Sequence, residues 1–222
     1  VIRGADHINN TPRQINILNA LGADVPHYAH VPMILGGDGK KLSKRHGAVS
    51  ILQYRDQGYL PEALLNYLAR LGWSHGDQEL FSKEELIEFF DLAHVSKSPA
   101  AFSVEKLAWV NQHYLKTLDP ALLIKPFSDQ LHQLGMADDA GQSLASIIEL
   151  QAERVKTLAE MAEQSRYFFE EFDDYDEKAA RKHLKPEAAQ GLLAMRDGLA
   201  ALARWDKGEI HQVVIQVAEL LS

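Results

Sequence analysis

The sequence predicts a mainly α-helical chain with a small α/β part at its N-terminus, and three observations predict it. The opening "VIRG" is a short β-like run that meets Asn10-Thr11-Pro12, a cap residue followed by proline at a first helical position. The stretch "HYAHVPMIL" (27 to 35) is apolar and β-rich, which makes residues 1–45 a strand, loop and helix unit followed by further strand. Beyond Pro61, apolar residues recur at helical spacing almost to the C-terminus.

Taken in order, the first helix is expected from the Asn10 cap to about Leu21. Gly58 and Pro61 punctuate the chain before "PEALLNYLARLG", where Leu64, Leu65, Leu68 and Leu71 share one face and Gly72 is a stop. "SKEELIEFF" opens with a capping box of Ser82 and Glu85. A helix over 103–115 would bury Leu107, Trp109, Val110 and Tyr114. After Asp119-Pro120, helices are expected over 120–134, 142–170, 174–184, 186–203 and 207–221, with Trp73, Trp109 and Trp205 as core anchors. The organisation is an α/β piece (1–45), a mixed connector (46–117) and an all-helical end (118–222).

Composition narrows the function classes. With 46% hydrophobic and 24% charged residues, the chain is a globular protein and not a disordered or fibrous one. It has no cysteine, which excludes disulfides and thiolate metal sites and fits a cytoplasmic location. No apolar run approaches the roughly 18 residues of a membrane span, so no membrane partner is expected. The chain starts at Val1 inside a β-like run, as a segment of a longer protein would. Its net charge of −8 argues against an unselective nucleic-acid binder, DNA included, but the charge is uneven. Residues 1–60 carry seven Lys/Arg against four Asp/Glu, and residues 61–222 sixteen against twenty-seven. Any anion site of the first segment is therefore local.

The focus of that local charge is "GGDGKKLSKRHGA" (36 to 48). It is not a P-loop, because no glycine stands five before Gly39 and Lys40 is followed by Lys41 and not by Ser or Thr. The chain also lacks a G-x-G-x-x-G turn and the paired histidines of a zinc hydrolase helix. What remains is Lys41 and Lys44, bracketing Leu42 and Ser43, on a loop freed by glycines. Two ammonium groups so placed suit a triphosphate whose charge shifts during reaction. His7, His30 and His46 lack close ligand spacing, and no metal is expected to be held by this chain.

"KLSKR" (41 to 45) resembles the K-M-S-K-S signature of the class I aminoacyl-tRNA synthetases. "VIRGADHINNTPRQ" before it, and "GYLPEALLNYLARLGWSHGDQE", "FSVEKLAWVNQHYL" and "RVKTLAEMAEQSRYFF" after it, resemble the bacterial glutamyl-tRNA synthetases along essentially the whole chain. The resemblance implies that residues 1–45 are the tail of a Rossmann-type catalytic domain, 46–117 a stem-contact connector, and 118–222 the first part of a helical anticodon-binding domain. It also implies a reaction in two steps: L-glutamate and ATP, with Mg2+, give glutamyl-adenylate and pyrophosphate, and the glutamyl group then passes to tRNA(Glu).

By the same resemblance, Lys41 and Lys44 hold the phosphates, and Ser43 and Arg45 complete the loop. Arg3 meets the glutamate substrate, Asp6 and His7 meet ATP, and Met33, Ile34 and Leu35 lie near the adenine. Arg154 matches the arginine this family places near the anticodon, and Lys156, Arg166, Arg181, Lys182 and Lys185 are candidates for phosphate contacts. Two departures stand out: Ala5 where the family commonly has an acidic residue, and Arg45 where the wider class has serine. The H-I-G-H signature of the class is absent from these residues, so the chain alone is expected to be inactive. The alternative is a tRNA- or protein-binding module in which the loop is vestigial.

Overall fold

The computed structural model describes residues 1–43, 50–138, 143–171 and 175–220. It divides into two compact units, Val1–Glu170 and Glu171–Ser222. As expected, the chain is mainly helical with a small α/β part at the N-terminus.

The first unit begins with β1 (Ile2–Gly4), a 3-10 turn over Ala5–Asn10, α1 (Thr11–Ala20) and β2 (Ala29–Val31). β1 and β2 pair in parallel, with Arg3 opposite His30. Asn10 does not cap α1 through its side chain, because the 3-10 turn runs straight into the helix and leaves Asn10 in helical backbone geometry. Pro12 fills the first turn as expected. Pro32, which has no N–H to give a ladder, divides the apolar run 27–35. The strand after it, β3 (Ile34–Leu35), pairs in parallel with β4 (Ala100–Ala101) in a second sheet.

Helices follow: α2 (Ile51–Asp56), α3 (Pro61–Gly72), α4 (Lys83–Phe89) and α5 (Val104–Thr117), then α6 (Pro120–Gln133), α7 (Leu144–Gln151) and α8 (Leu158–Gln164). The Ser82 and Glu85 capping box forms at both ends, with Glu85 N to Ser82 Oγ at 3.1 Å and Ser82 N to Glu85 Oε2 at 2.7 Å. Asp119 caps α6 by accepting from Ala121 N at 2.9 Å. The expected buried stripe of α3 is corrected. Ala63, Leu64, Asn66 and Tyr67 face the core, whereas Leu65 and Leu68 are 48% and 37% exposed. On α5, Leu107, Val110 and Tyr114 are buried as expected, but Trp109 is 47% exposed.

The continuous helix expected over 142–170 is broken. Residues 152–157 form a turn between α7 and α8, and a 3-10 turn over Arg166–Phe168 follows α8. Val155 enters the core completely. The next helix restarts on Thr157, whose Oγ1 accepts from Glu160 N at 3.1 Å while the Glu160 carboxylate accepts from Lys156 N at 2.8 Å.

One hydrophobic core joins α3, α5, α6, α7 and α8, with Leu107, Phe127, Leu131, Val155 and Met161 fully buried. Each such aliphatic or aromatic side chain contributes about 1.5–3 kcal/mol. Among residues 1–35 only Thr11 is buried, so the helical part carries most of this unit's stability.

Two buried asparagines tie the core together. Asn66 donates to Glu79 O (2.9 Å) and accepts from Phe81 N (2.7 Å), and the Tyr114 hydroxyl donates to Phe81 O (2.5 Å). Burial pushes that phenol up to about 12. Asn111 accepts from Leu60 N at 2.8 Å and donates to Lys156 O at 2.6 Å.

The second unit holds α9 (Glu177–His183), α10 (Ala188–Ala200) and α11 (Lys207–Leu220). Asp176 caps α9 by accepting from Ala179 N at 2.7 Å. A Cβ at Gly198 would lie 2.7 Å from Val213 Cγ1, so glycine there lets α10 and α11 approach closely. Trp205 is 69% exposed, and is not the core anchor expected.

Candidate functional site

The lysine loop is an ordered hairpin at its base. Gly36 N donates to Lys40 O at 2.8 Å, Gly39 N to Gly36 O at 3.0 Å, and Leu42 N to Ile34 O at 2.9 Å. Leu35 and Lys41 form an antiparallel bridge. Gly39 has φ +73°, which its lack of a Cβ makes easy, and Lys40 N is further held by Asp38 Oδ1 at 3.0 Å. Leu42 packs on the main core while Lys41 projects outward. The alternation in "KLS" thus follows a strand-like register, apolar side chain in and cation out.

Lys41 Nζ donates to Asp6 Oδ2 at 2.5 Å, which joins the hairpin to the 3-10 turn after β1. The ammonium holds the Asp6 carboxyl below its usual range. His7 Nε2 lies 4.0 Å from the same carboxylate oxygen, and His7 Nδ1 lies 3.4 Å from Asn10 Nδ2. Arg3 donates from Nη2 to Thr11 Oγ1, and its guanidinium carbon sits 5.1 Å from the centroid of the Tyr28 ring. Thr11 Oγ1 also lies 2.9 Å from His30 Nε2.

Of the residues expected to form one site, the structure brings Asp6 and Lys41 into contact, with His7 beside them. Met33, Ile34 and Leu35 form the strand entry to the hairpin, and Met33 and Ile34 also line an apolar groove of about 690 Å³ with Leu65, Leu68 and Phe90. Ser43 is described. Lys44 and Arg45, with His46, lie outside the described residues. Thr11, Tyr28 and His30 were not anticipated as partners of Arg3. The pairing of Arg3 with His30 across β1 and β2 explains the convergence, and a sequence without a known strand register could not reveal it.

Arg154 stands elsewhere, in the 152–157 turn. It is exposed, its N–H donates to Gln151 O at 2.8 Å, and no carboxylate pairs with it among the described residues. The turn is fixed against α5 by Asn111, by Gln112 Nε2 to Glu153 O at 3.3 Å, and by Lys116 to Glu153 at 2.7 Å. Gly58, at φ +80°, accepts from Leu158 N at 2.9 Å, and a Cβ there would fall 2.2 Å from Ala159 N. Two of the other candidate cations are already engaged: Arg166 is bound to Glu163 (3.0 Å) and Glu170 (3.2 Å), and Arg181 to Glu177 (3.1 Å).

Two family matches adjoin at the middle of the chain. Residues 1–109 match the family described as "tRNA synthetases class I (E and Q), catalytic domain", and residues 108–221 match "Anticodon binding domain". The chain belongs to the class I tRNA synthetases. Within that family it is 63% identical over 220 residues to a glutamate–tRNA ligase 1 of Coxiella burnetii, and 62% identical to a glutamate–tRNA ligase 2 from another strain. Both matches cover 99% of this chain and 47% of the relative, so the chain spans about half the length of the curated relatives it matches.

Among solved structures, it is similar to a glutamate tRNA ligase of Elizabethkingia meningosepticum crystallised in complex with its amino acid, with TM-score 0.78 and 32% identity. A glutamate-tRNA synthetase of Elizabethkingia anophelis matches with TM-score 0.76 and 31% identity. Each covers 99% of this chain and 47% of the other. No helix among the described residues is long and apolar enough to cross a membrane.

Proposed function

We propose that this chain is the part of a cytoplasmic glutamate–tRNA ligase that supplies the lysine loop of the ATP site and the helices that bind tRNA(Glu). The observation that carries the proposal is the Lys41 hairpin. The hairpin after β3 carries Lys41, the first residue of "KLSKR", and this lysine reaches a residue that the resemblance assigns to ATP.

In the proposed reaction an oxygen of the glutamate α-carboxylate attacks the α-phosphorus of ATP, whose Mg2+ arrives with the nucleotide. The bond to the bridging oxygen breaks, and pyrophosphate leaves with the electron pair. No general base is required, so the protein's contribution is positioning and charge stabilisation. Lys41 and Lys44 meet the charge growing on the leaving pyrophosphate, with Ser43 and Arg45 completing the loop. Asp6 and His7 border the nucleotide, and Met33, Ile34 and Leu35 flank the adenine. Arg3 supplies a guanidinium fork for a glutamate carboxylate. A ribose hydroxyl of the terminal adenosine of tRNA then attacks the carbonyl carbon of the glutamyl-adenylate. The ester forms as the bond to the phosphate oxygen breaks, AMP leaves with the electron pair, and the hydroxyl proton is lost to the phosphate or to water.

Arg154, exposed on a rigid turn, is the anticodon contact. An arginine can donate two hydrogen bonds to a base edge or stack on an unpaired base. The proposed domain limits are 1–45 for the catalytic portion, 46–117 for the stem-contact connector and 118–222 for the anticodon-binding portion.

The test is ATP–pyrophosphate exchange, dependent on glutamate and tRNA, in a protein of the relatives' length that contains this chain, and in the 222 residues alone. Exchange in the long protein and silence in the short one is the expected result. Firm tRNA binding by the long protein without exchange would favour a binding module.

A further inference from the structure

The carboxylate that meets the loop lysine is accommodated by a missing side chain. A Cβ on Gly4 would fall 2.5 Å from Asp6 Oδ1, so glycine at position 4 lets that oxygen fold back over the end of β1 while Oδ2 takes the Lys41 ammonium. The Asp6 side chain is 33% exposed and that of Lys41 61%, so the ammonium, at the end of the longer side chain, is the more exposed partner. The Lys41 backbone is held by the Leu35 bridge and by the bond of Leu42 to Ile34, with Leu42 packed on the core. A change of partner by Lys41 therefore needs only a swing of its four-carbon side chain.

We propose that Asp6 is a positioning residue that parks the Lys41 ammonium when no nucleotide is bound, and that an incoming polyphosphate takes the ammonium over from it. This inference rests on the reading of the loop as a phosphate clamp. A polyphosphate carries several negative charges and the carboxylate one, so the ammonium transfers while the carboxylate stays in the Gly4 recess. Losing that partner, and facing phosphate from nearby, costs part of the binding free energy of every polyphosphate, whether substrate or product. Asp6 thereby keeps the lysine ready without letting ground-state polyphosphate bind at full strength.

The consequence is that removing the carboxylate tightens binding. The pair is an exposed one, so Asp6→Asn is expected to lower the Kd for ATP and for inorganic tripolyphosphate by roughly two- to fivefold at low ionic strength. Screening at high salt should shrink the gain.

The experiment is a double-mutant cycle in the full-length protein containing this chain, with wild type, Asp6→Asn, Lys41→Ala and the double variant. Each is titrated calorimetrically with tripolyphosphate and with ATP, and thermal midpoints check the fold. The gain from Asp6→Asn should appear with Lys41 present and be largely lost in the Lys41→Ala background. Gly4→Ala, which crowds the carboxylate without changing any charge, should shift affinity in the same direction. Unchanged or weaker binding by Asp6→Asn would overturn the parking role while leaving the loop's function intact. An equal gain in both backgrounds would also overturn it, by showing a general field effect of the charge. If Lys41→Ala alone leaves both affinities unchanged, the loop is no phosphate clamp, and the inference falls with that reading.

Discussion

The Lys41 hairpin and the Arg154 turn are both short connections that present a basic side chain to solvent, yet they are held in different ways. The hairpin is closed by glycine geometry and local backbone bonds, and its cation is engaged by an exposed carboxylate. The Arg154 turn is gripped from beneath by Asn111, which is fully buried and bonds to both Leu60 and Lys156. A group that must follow shifting phosphate charge gains from a long side chain with an exchangeable partner. A group that must meet one base gains from a fixed backbone under a free guanidinium. The difference in support thus fits the different tasks proposed for the two residues.

The sharpest way to break the comparison is at the hairpin. Lys41→Ala should lower glutamate-dependent pyrophosphate exchange in the full-length protein by about 10²–10³-fold, the usual cost of one charge-stabilising donor. The turn should fail through its support. Asn111→Ala leaves the buried Leu60 N and the partly buried Lys156 O without this partner, which should destabilise the protein by about 2–4 kcal/mol in chemical denaturation. Arg154→Ala, which shortens an exposed side chain, should leave the denaturation midpoint unchanged and weaken tRNA binding by about 1–3 kcal/mol, with Arg154→Lys recovering only part of the loss.

The smallest effect concerns neither region, and serves as a control on the scaffold. Arg70 and Lys106 pull the Glu79 carboxyl from 4.5 to about 2. A carboxyl lowered on folding contributes stability that is complete above its ordinary value and is lost as pH falls from about 4.5 toward 2. Glu79→Gln should therefore flatten the acid limb of stability in that window, modestly, because the Glu79 side chain is 37% exposed.

Much of this architecture is legible in local chemistry. The Ser82 and Asp119 caps, Pro12 at the start of α1 and the glycine turn before Lys41 all act within a few residues, and each is found where the sequence places it. What the sequence hides is tertiary. Val155, Leu158, Met161 and Ala162 continue an apolar pattern through the 152–157 turn, because Ala152 and Val155 of the turn are buried in the same core that α7 and α8 serve while Glu153, Arg154 and Lys156 are exposed. The restart signal, Thr157 with Glu160, has the spacing of the box at Ser82, although the Glu160 carboxylate accepts from Lys156 N and not from the cap residue, and the apolar pattern running through it hides it.

Leu65 and Leu68 fit a helical stripe as well as Leu64 does, and only packing against α5 decides that Ala63 and Tyr67 turn inward. Nor could spacing reveal that Asp6 meets Lys41 across 35 positions, or that Arg3 reaches Thr11 beside His30. Those contacts depend on strand register, which single residues do not encode.

The most direct test of the account is a crossed measurement on one full-length protein. The tRNA affinity of Lys41→Ala is compared with that of Arg154→Ala, and their exchange rates are compared at saturating tRNA. The account predicts that Lys41→Ala loses exchange and keeps tRNA affinity, while Arg154→Ala loses affinity and keeps exchange once tRNA is saturating. Loss of exchange by both variants, or by neither, would contradict the division of labour between a phosphate-clamping hairpin and a base-reading turn.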